Sequence, residues 1–255
     1  MSLRRRRALL VLPVLALLGA MVGWGLNGLP GYGHRDSAYA REAIDAALRQ
    51  RHTGNTVNAV AFDVRGFDTL GEELILFTAA VGAAVLLRRQ RGEQQAEESA
   101  ERSRSGQSRA SASLRALGAV LVGPVLVLGM YVIAHGNLTP GGGFQGGVIL
   151  AGALLLVYAA GQVLALKRVS PTALVEVGDA VGAGAFVLIG IGGLIFAAAA
   201  MENFLPAGDR FQLMSSGTIE LLNGAVGIEV ASAVTLVMTE LMDQSLLRLA
   251  EAEGG

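Results

Sequence analysis

Six long apolar runs constrain this chain of 255 residues more than any other feature. A helix needs about 20 apolar residues to cross about 30 Å of hydrocarbon, and lipid admits only helices or closed barrels as spanning structures. The runs lack the polar alternation of barrel strands. They predict an all-α polytopic membrane protein with about six transmembrane helices, two followed by four, at residues 8–26, 73–87, 117–134, 146–166, 180–201 and 223–242.

The composition supports a bilayer protein and excludes several functional classes. Hydrophobic residues make up 52% of the chain and charged residues 16%. The net charge of -1 gives no sign of a nucleic-acid partner. The absence of cysteine excludes disulfides, thiolate zinc sites and cysteine-bound iron–sulfur clusters, and the three histidines are far apart in the sequence. We therefore expect no cofactor and no metal centre.

The basic residues predict an orientation in the cell inner membrane. Of the 20 lysines and arginines, 14 lie in segments that can all be cytoplasmic, which places both termini inside by the positive-inside rule. The first apolar run follows four arginines and resembles a signal peptide, but it is longer than the usual apolar region, and no cleavage pattern follows it. We expect it to remain as an anchor.

A polar segment divides the chain into two parts. Residues 90–113 contain almost no large apolar side chain, so they are predicted to be a disordered cytoplasmic linker. The linker separates a two-helix module at 1–89 from a four-helix membrane domain at 114–255. Within the first module, the outer segment after Asp36 has the pattern of a short amphipathic helix.

Acidic residues near or within the apolar runs are the candidate ion ligands. Glu72 or Glu73, if carried below the membrane interface, offers the oxygen that a hard cation such as sodium prefers. Glu229 lies inside the sixth run without a basic neighbour in that run, and an intramembrane ionisable group is a functional candidate by default. The alternative for each acid is interfacial anchoring or pairing with another subunit. Asp179 is expected at the interface, before the fifth run.

The stretch "HGNLTPGGGFQGG" from His135 to Gly147 is the least helical part of the apolar half. It lacks the lysine of a P-loop and does not follow a strand, which excludes nucleotide binding. It is predicted to be an irregular outward-side entry to the fourth span, with glycines that allow close contact or a wet cavity. We favour packing over an ion route for Phe144, and a hydrogen-bonded interfacial role for His135.

The same stretch, with "GVILAGALLL" after it, resembles the signature of the B subunit of Mrp-type, or Mnh-type, sodium/proton antiporters. The segment "VRGFDTLGEELILFTAAVGAAVLL" at 64–87 resembles the C-terminal two-helix extension of the A subunit of those complexes. That region is also a small separate subunit in membrane-bound hydrogenases. The two pieces are joined in this chain by the predicted linker.

The resemblance implies a non-enzymatic subunit of a multisubunit sodium/proton antiporter, inactive alone, whose partners are large complex I-like subunits and small membrane subunits. It implies that Glu72, in a motif that includes Asp68, lies on the cation path, and that Pro140 and Phe144, beside Gly143, affect activity. The proton machinery would lie in the larger subunits. The alternatives are an antiporter-like module of a hydrogenase or other respiratory complex, and a purely structural scaffold.

Overall fold

The computed structural model describes residues 3–29, 37–87, 111–159 and 172–254, and their regular structure is entirely helical. The predicted linker lies outside the described residues except for 111–113. Seven main helices are described, with short helical turns at Ala46–Gln50, Thr56–Ala59 and Val60–Val64. The helices are α1 Leu3–Asn27, α2 Ala38–Asp45, α3 Gly66–Leu87, α4 Ala112–Ala134, α5 Gly143–Ala159, α6 Thr172–Phe196 and α7 Thr218–Gly254.

The predicted all-α membrane architecture is confirmed. Helices α3, α4 and α6, and residues Thr218–Met242 of α7, are long and apolar enough to cross a membrane. Shorter apolar helices occupy Val11–Asn27 and Gly143–Tyr158. The expected amphipathic helix of the outer segment is α2. Residues 1–42 form one compact unit and residues 43–255 another.

Two predicted span boundaries were wrong in a way that affects the site. Helix α3 begins at Gly66, seven residues before the predicted start, so Glu72 and Glu73 both lie inside it. Helix α6 begins at Thr172, eight residues before the predicted start, and ends at Phe196. Asp179 is therefore inside a membrane-spanning helix rather than before it. In sequence, the polar residues near each predicted start resemble the end of a span, whereas in the structure several of them face the protein interior.

Helix α7 forms the centre of the larger unit. It is the most buried of the four long apolar helices, and it contacts α3, α5 and α6. The main apolar cluster joins α7 to the turns before α3 and to α6, with Phe62 and Phe186 in a tilted ring contact at 6.1 Å. Its buried members are Ala47, Ala59, Phe62, Phe186, Met201, Ile219, Leu222, Ala225, Val226 and Val230.

The glycines after Pro140 place α5 directly against two neighbouring helices. A Cβ at Gly146 would lie 2.7 Å from the carbonyl oxygen of Gly129 in α4, and one at Gly143 would lie 2.6 Å from the carbonyl oxygen of Asn223 in α7. Small residues at such positions let helix backbones approach closely in a membrane. The glycine-rich sequence therefore serves helix contact on both sides of α5.

The segments predicted to lie outside the membrane meet at one end of the larger unit. Asn137 is fully buried there, and its Nδ2 donates to the Oγ and the carbonyl oxygen of Ser215, at 3.0 and 3.2 Å. The amides of Gly54 and Asn55 donate to the carbonyl oxygen of Asn137. At the other end, Gln244 Nε2 donates to the carbonyl oxygen of Leu87 at 3.1 Å. Helices α3 and α7 thus begin at the end where the loops meet.

Candidate functional site

Two glutamates from different parts of the chain lie side by side inside the larger unit. Glu73 belongs to the buried face of α3, which also includes Thr69 and Ala80, and it is 0% exposed. Glu229 lies on α7, is also 0% exposed, and has the Glu73 carboxyl as its neighbour. With a rise of about 1.5 Å per residue, Glu73 lies about 10 Å and Glu229 about 16 Å from the start of its helix. Both are at membrane depth.

A third carboxylate continues from this pair. Asp179 of α6 is 1% exposed and is close enough to Glu229 for electrostatic interaction. Within the described residues, no three acidic or histidine side chains are grouped as the ligands of one metal ion. We therefore describe the three acids as two successive neighbours, Glu73 with Glu229 and Glu229 with Asp179.

The carboxylates have no donor to neutralise them. No hydrogen-bond donor among the described residues reaches any of the six oxygens of Glu73, Asp179 and Glu229. Burying one unpaired carboxylate costs several kcal/mol, and a second one beside it adds repulsion. The Glu73–Glu229 pair is therefore suited to hold a proton or a small cation between its oxygens.

Other acids of the same region are paired or exposed. Glu72 is exposed on a different face of α3 from the buried Glu73. Asp68 is exposed and accepts a hydrogen bond from Arg65 Nε at 2.6 Å, in line with the anchoring alternative. Asp63 accepts from Arg51 Nε at 2.7 Å.

The residues of the glycine-rich stretch lie apart from the carboxylates in structural roles. The His135 ring stacks on Tyr131 with centroids 3.9 Å apart. Pro140 is exposed in the turn before α5. Phe144 is partly buried against the main apolar cluster, which agrees with the packing alternative. Gly143 begins α5, and its amide donates to Asn223 Oδ1 at 3.0 Å.

Asp179 is the site residue that sequence reasoning missed. Its spacing contained the signal, since Val175, Asp179, Gly182 and Phe186 recur at intervals of four, three and four and all lie on the buried face of α6. That pattern is typical of one helix face. Extending the fifth span towards Thr172 would have placed Asp179 among these residues.

Comparisons with known proteins divide the chain in a way that matters for this site. A family described as "Domain related to MnhB subunit of Na+/H+ antiporter" matches residues 113–236. A family described as the E subunit of MBH matches residues 4–104. Glu73 lies in the second match, and Asp179 and Glu229 lie in the first. The buried carboxylates therefore join the two matched regions.

Relatives and solved structures agree with the family matches. An uncharacterized protein of Methanocaldococcus jannaschii is 29% identical over 71% of this chain and 74% of its own length. A chain of the membrane-bound sulfane sulfur reductase, an archaeal respiratory membrane complex, is 27% identical with a TM-score of 0.67, covering 92% of this chain and 97% of that one.

A chain of the Mrp complex from a Dietzia species has the same fold, with a TM-score of 0.70 at 21% identity. The similarity covers 94% of this chain but 26% of that longer chain. The fold, the family matches and the buried carboxylates that connect the matched regions lead to one assignment. The chain is therefore an MnhB-like subunit of an antiporter-like membrane complex, with an N-terminal module that matches the MBH family.

Proposed function

We propose that this subunit contributes a sodium-binding step to a monovalent cation/proton antiporter, and that it works only within the assembled complex. The site is the Glu73–Glu229 pair. The observation that supports it is the complete burial of two adjacent carboxylates that no donor among the described residues reaches. Sodium is a hard cation that prefers oxygen ligands, and two carboxylate oxygens supply the charge to replace part of its hydration shell.

The pair also explains why the two parts of the chain are useful together. Glu73 comes from the proposed two-helix module at 1–89, and Glu229 from the proposed four-helix domain at 114–255. A cation bound between them bridges the modules, and its release separates two like charges. Because the exchange partner is a proton, a carboxylate pair serves both ions alternately, one neutralising charge at a time.

The complex context and the membrane orientation belong to the same proposal. Large complex I-like subunits and small membrane subunits are the expected partners, in the cell inner membrane with both termini cytoplasmic. The distribution of basic residues supports this orientation. The meeting of Asn55, Asn137 and Ser215 at one end supports placing their three segments on one side.

A second candidate context is an antiporter-like module of a respiratory complex. It is favoured by the similarity to a chain of the sulfane sulfur reductase complex, which covers 97% of that chain. The Glu73–Glu229 pair would bind a cation in either context. A scaffold role, with the acids serving only assembly, is the alternative that the site experiment must exclude.

Replacing Glu73 or Glu229 with Gln tests the site, with antiport measured in everted membrane vesicles and assembly checked by native electrophoresis. We expect each variant to assemble and to lose most sodium-dependent antiport. The double variant should lose little more than either single one, because residues that act as a unit are not additive. Normal antiport in intact E73Q and E229Q complexes would contradict the proposal.

Two further variants make the experiment specific. Glu176→Gln removes an exposed acid from α6 and is the control for lost charge. Glu72→Gln tests the residue that the resemblance implies for the cation path, which is adjacent to Glu73 but exposed. Loss of antiport in E72Q alone would move the path to the outer face of α3. Loss in E73Q alone would keep it in the buried pair.

A further inference from the structure

We propose that Asp179 and Ser232 form a second cation position along the contact between α6 and α7, so that this one chain carries the ion from the carboxylate pair towards the end where α6 begins. The inference rests on the proposed function of Glu73 and Glu229. It adds a direction and a second ligand set to that site.

The contact between α6 and α7 is made of glycine on one side and polar residues on the other. A Cβ at Gly182 would lie 2.6 Å from the backbone nitrogen of Glu229. A Cβ at Gly178 would collide with Ser232 Oγ. Glu229 and Ser232 are three residues apart on α7 and therefore share a face. Both are turned towards α6, where no side chain of residues 178 and 182 covers them.

Asp179 adds a carboxylate next to this contact. It follows Gly178 directly, is 1% exposed, and has two oxygens without a donor. Nothing in its described surroundings neutralises it, and its nearest charged neighbour is the equally unpaired Glu229. A buried carboxylate of this kind needs a positive ion or a proton, and Ser232 provides a hydroxyl oxygen close by.

The three carboxylates are staggered across the membrane. Helices α3 and α7 begin at the end where the loops meet, with Glu73 about 10 Å and Glu229 about 16 Å along them. Helix α6 runs in the opposite direction, and Asp179 lies about 10 Å from its start, near the other end. Within the described part of the chain, the acids are not grouped around one ion. They are therefore arranged as successive positions, with Glu229 shared between the first and the second.

The arrangement suggests how an ion would advance. An ion held by Glu73 and Glu229 moves to Glu229 and Asp179 by exchanging one carboxylate for another, so Glu229 keeps contact throughout. Ser232 then replaces part of the coordination as the ion leaves the pair. At each position two carboxylates face one cation, so that neither carboxylate is left buried without a counter-charge for long.

The test replaces Asp179 with Asn in the assembled complex and measures sodium-dependent antiport in everted vesicles, whose outer face is the end where α6 begins under the proposed orientation. We expect the apparent KM for sodium added on this side to rise by about tenfold, as for the loss of one charged ligand. The matched control is E176Q, which removes an exposed acid one turn earlier on the same helix. Its KM should not change.

A second pair of variants covers a failure of D179N to assemble. Ser232→Ala removes only a hydroxyl and should raise the sodium KM by about threefold, the lower part of the range for a neutral ligand. Asp179→Glu keeps the carboxylate and should restore part of the affinity lost in D179N. An unchanged sodium KM in S232A, and in D179N where it assembles, would overturn the second position.

The two proposals fail differently. If E73Q abolishes sodium dependence while D179N and S232A keep the normal KM, the carboxylate pair stands and the second position falls. If E73Q retains normal antiport, the first proposal falls as well. An increase in KM in E176Q equal to that in D179N would show a general charge effect and would also overturn the second position.

Discussion

The contact between α6 and α7 at Gly182 provides a prediction whose size follows from the structure. A Cβ at this position would lie 2.6 Å from both the nitrogen and the Cβ of Glu229, and 2.7 Å from its Cα. Ordinary contacts begin near 3.4 Å. Two of these three atoms are backbone atoms, which no rotamer change can move. Gly182→Ala must therefore separate the two helices by about 1 Å, or shift α7 along its axis.

The matched control is Gly184→Ala on the same helix, where an added Cβ meets nothing within 4 Å. Both substitutions gain the same helix propensity, about 0.8–1.0 kcal/mol in soluble hosts, so that term cancels between them. What remains is the overpacking of G182A, which costs about 1–3 kcal/mol. Because the clash is with backbone atoms, we expect a value in the upper part of this range.

The assay is unfolding of the purified full-length chain in mild detergent by added SDS, followed by circular dichroism. G182A should unfold at lower SDS than G184A, with a free-energy difference of about 1–3 kcal/mol. In the assembled complex, G182A should also lose sodium-dependent antiport, since it displaces Glu229 from Asp179. Equal unfolding free energies for the two variants would refute the close contact on which the second cation position depends.

Two further predictions concern the end where the loops meet. Gly141 and Gly142 have φ values of +139° and +138°, so alanine strains either one, but Gly142→Ala also places its Cβ 2.7 Å from the Asn223 oxygen that caps α5; G142A should therefore lower the thermal stability of the chain more than Gly141→Ala, and equal losses would show that the cap is unimportant. Asn137→Ala removes a fully buried amide that donates to Ser215 and should cost about 1–3 kcal/mol in the same unfolding assay, whereas the exposed Gln212→Ala should change stability by less than about 0.5 kcal/mol.

Much of the fold followed from the lengths of the apolar runs. Chain length across a bilayer and the need to satisfy the backbone in lipid leave few choices besides helices. The ends of the helices were harder to predict. At Gly66 and Thr172, polar residues within the first two turns resembled the end of a span, because a sequence does not show which polar side chains another helix will cover.

The site was predictable in part. Glu229 was singled out because it is charged inside an apolar run, and the structure places it in the buried pair. The resemblance favoured Glu72 over Glu73, but adjacent residues on a helix point about 100° apart, so only the packing of α3 decides which one faces inward. The structure buries Glu73 and exposes Glu72. Asp179 could not join the site until α6 was known to begin at Thr172.

The central claim is that Glu73 and Glu229 bind the transported sodium, and equilibrium binding of radioactive sodium to the purified intact complex tests it most directly. The complex carrying both Glu73→Gln and Glu229→Gln should bind one sodium ion fewer than the wild type, while E176Q should bind the same amount as the wild type. Equal sodium binding by the wild type and the intact double variant would contradict the account.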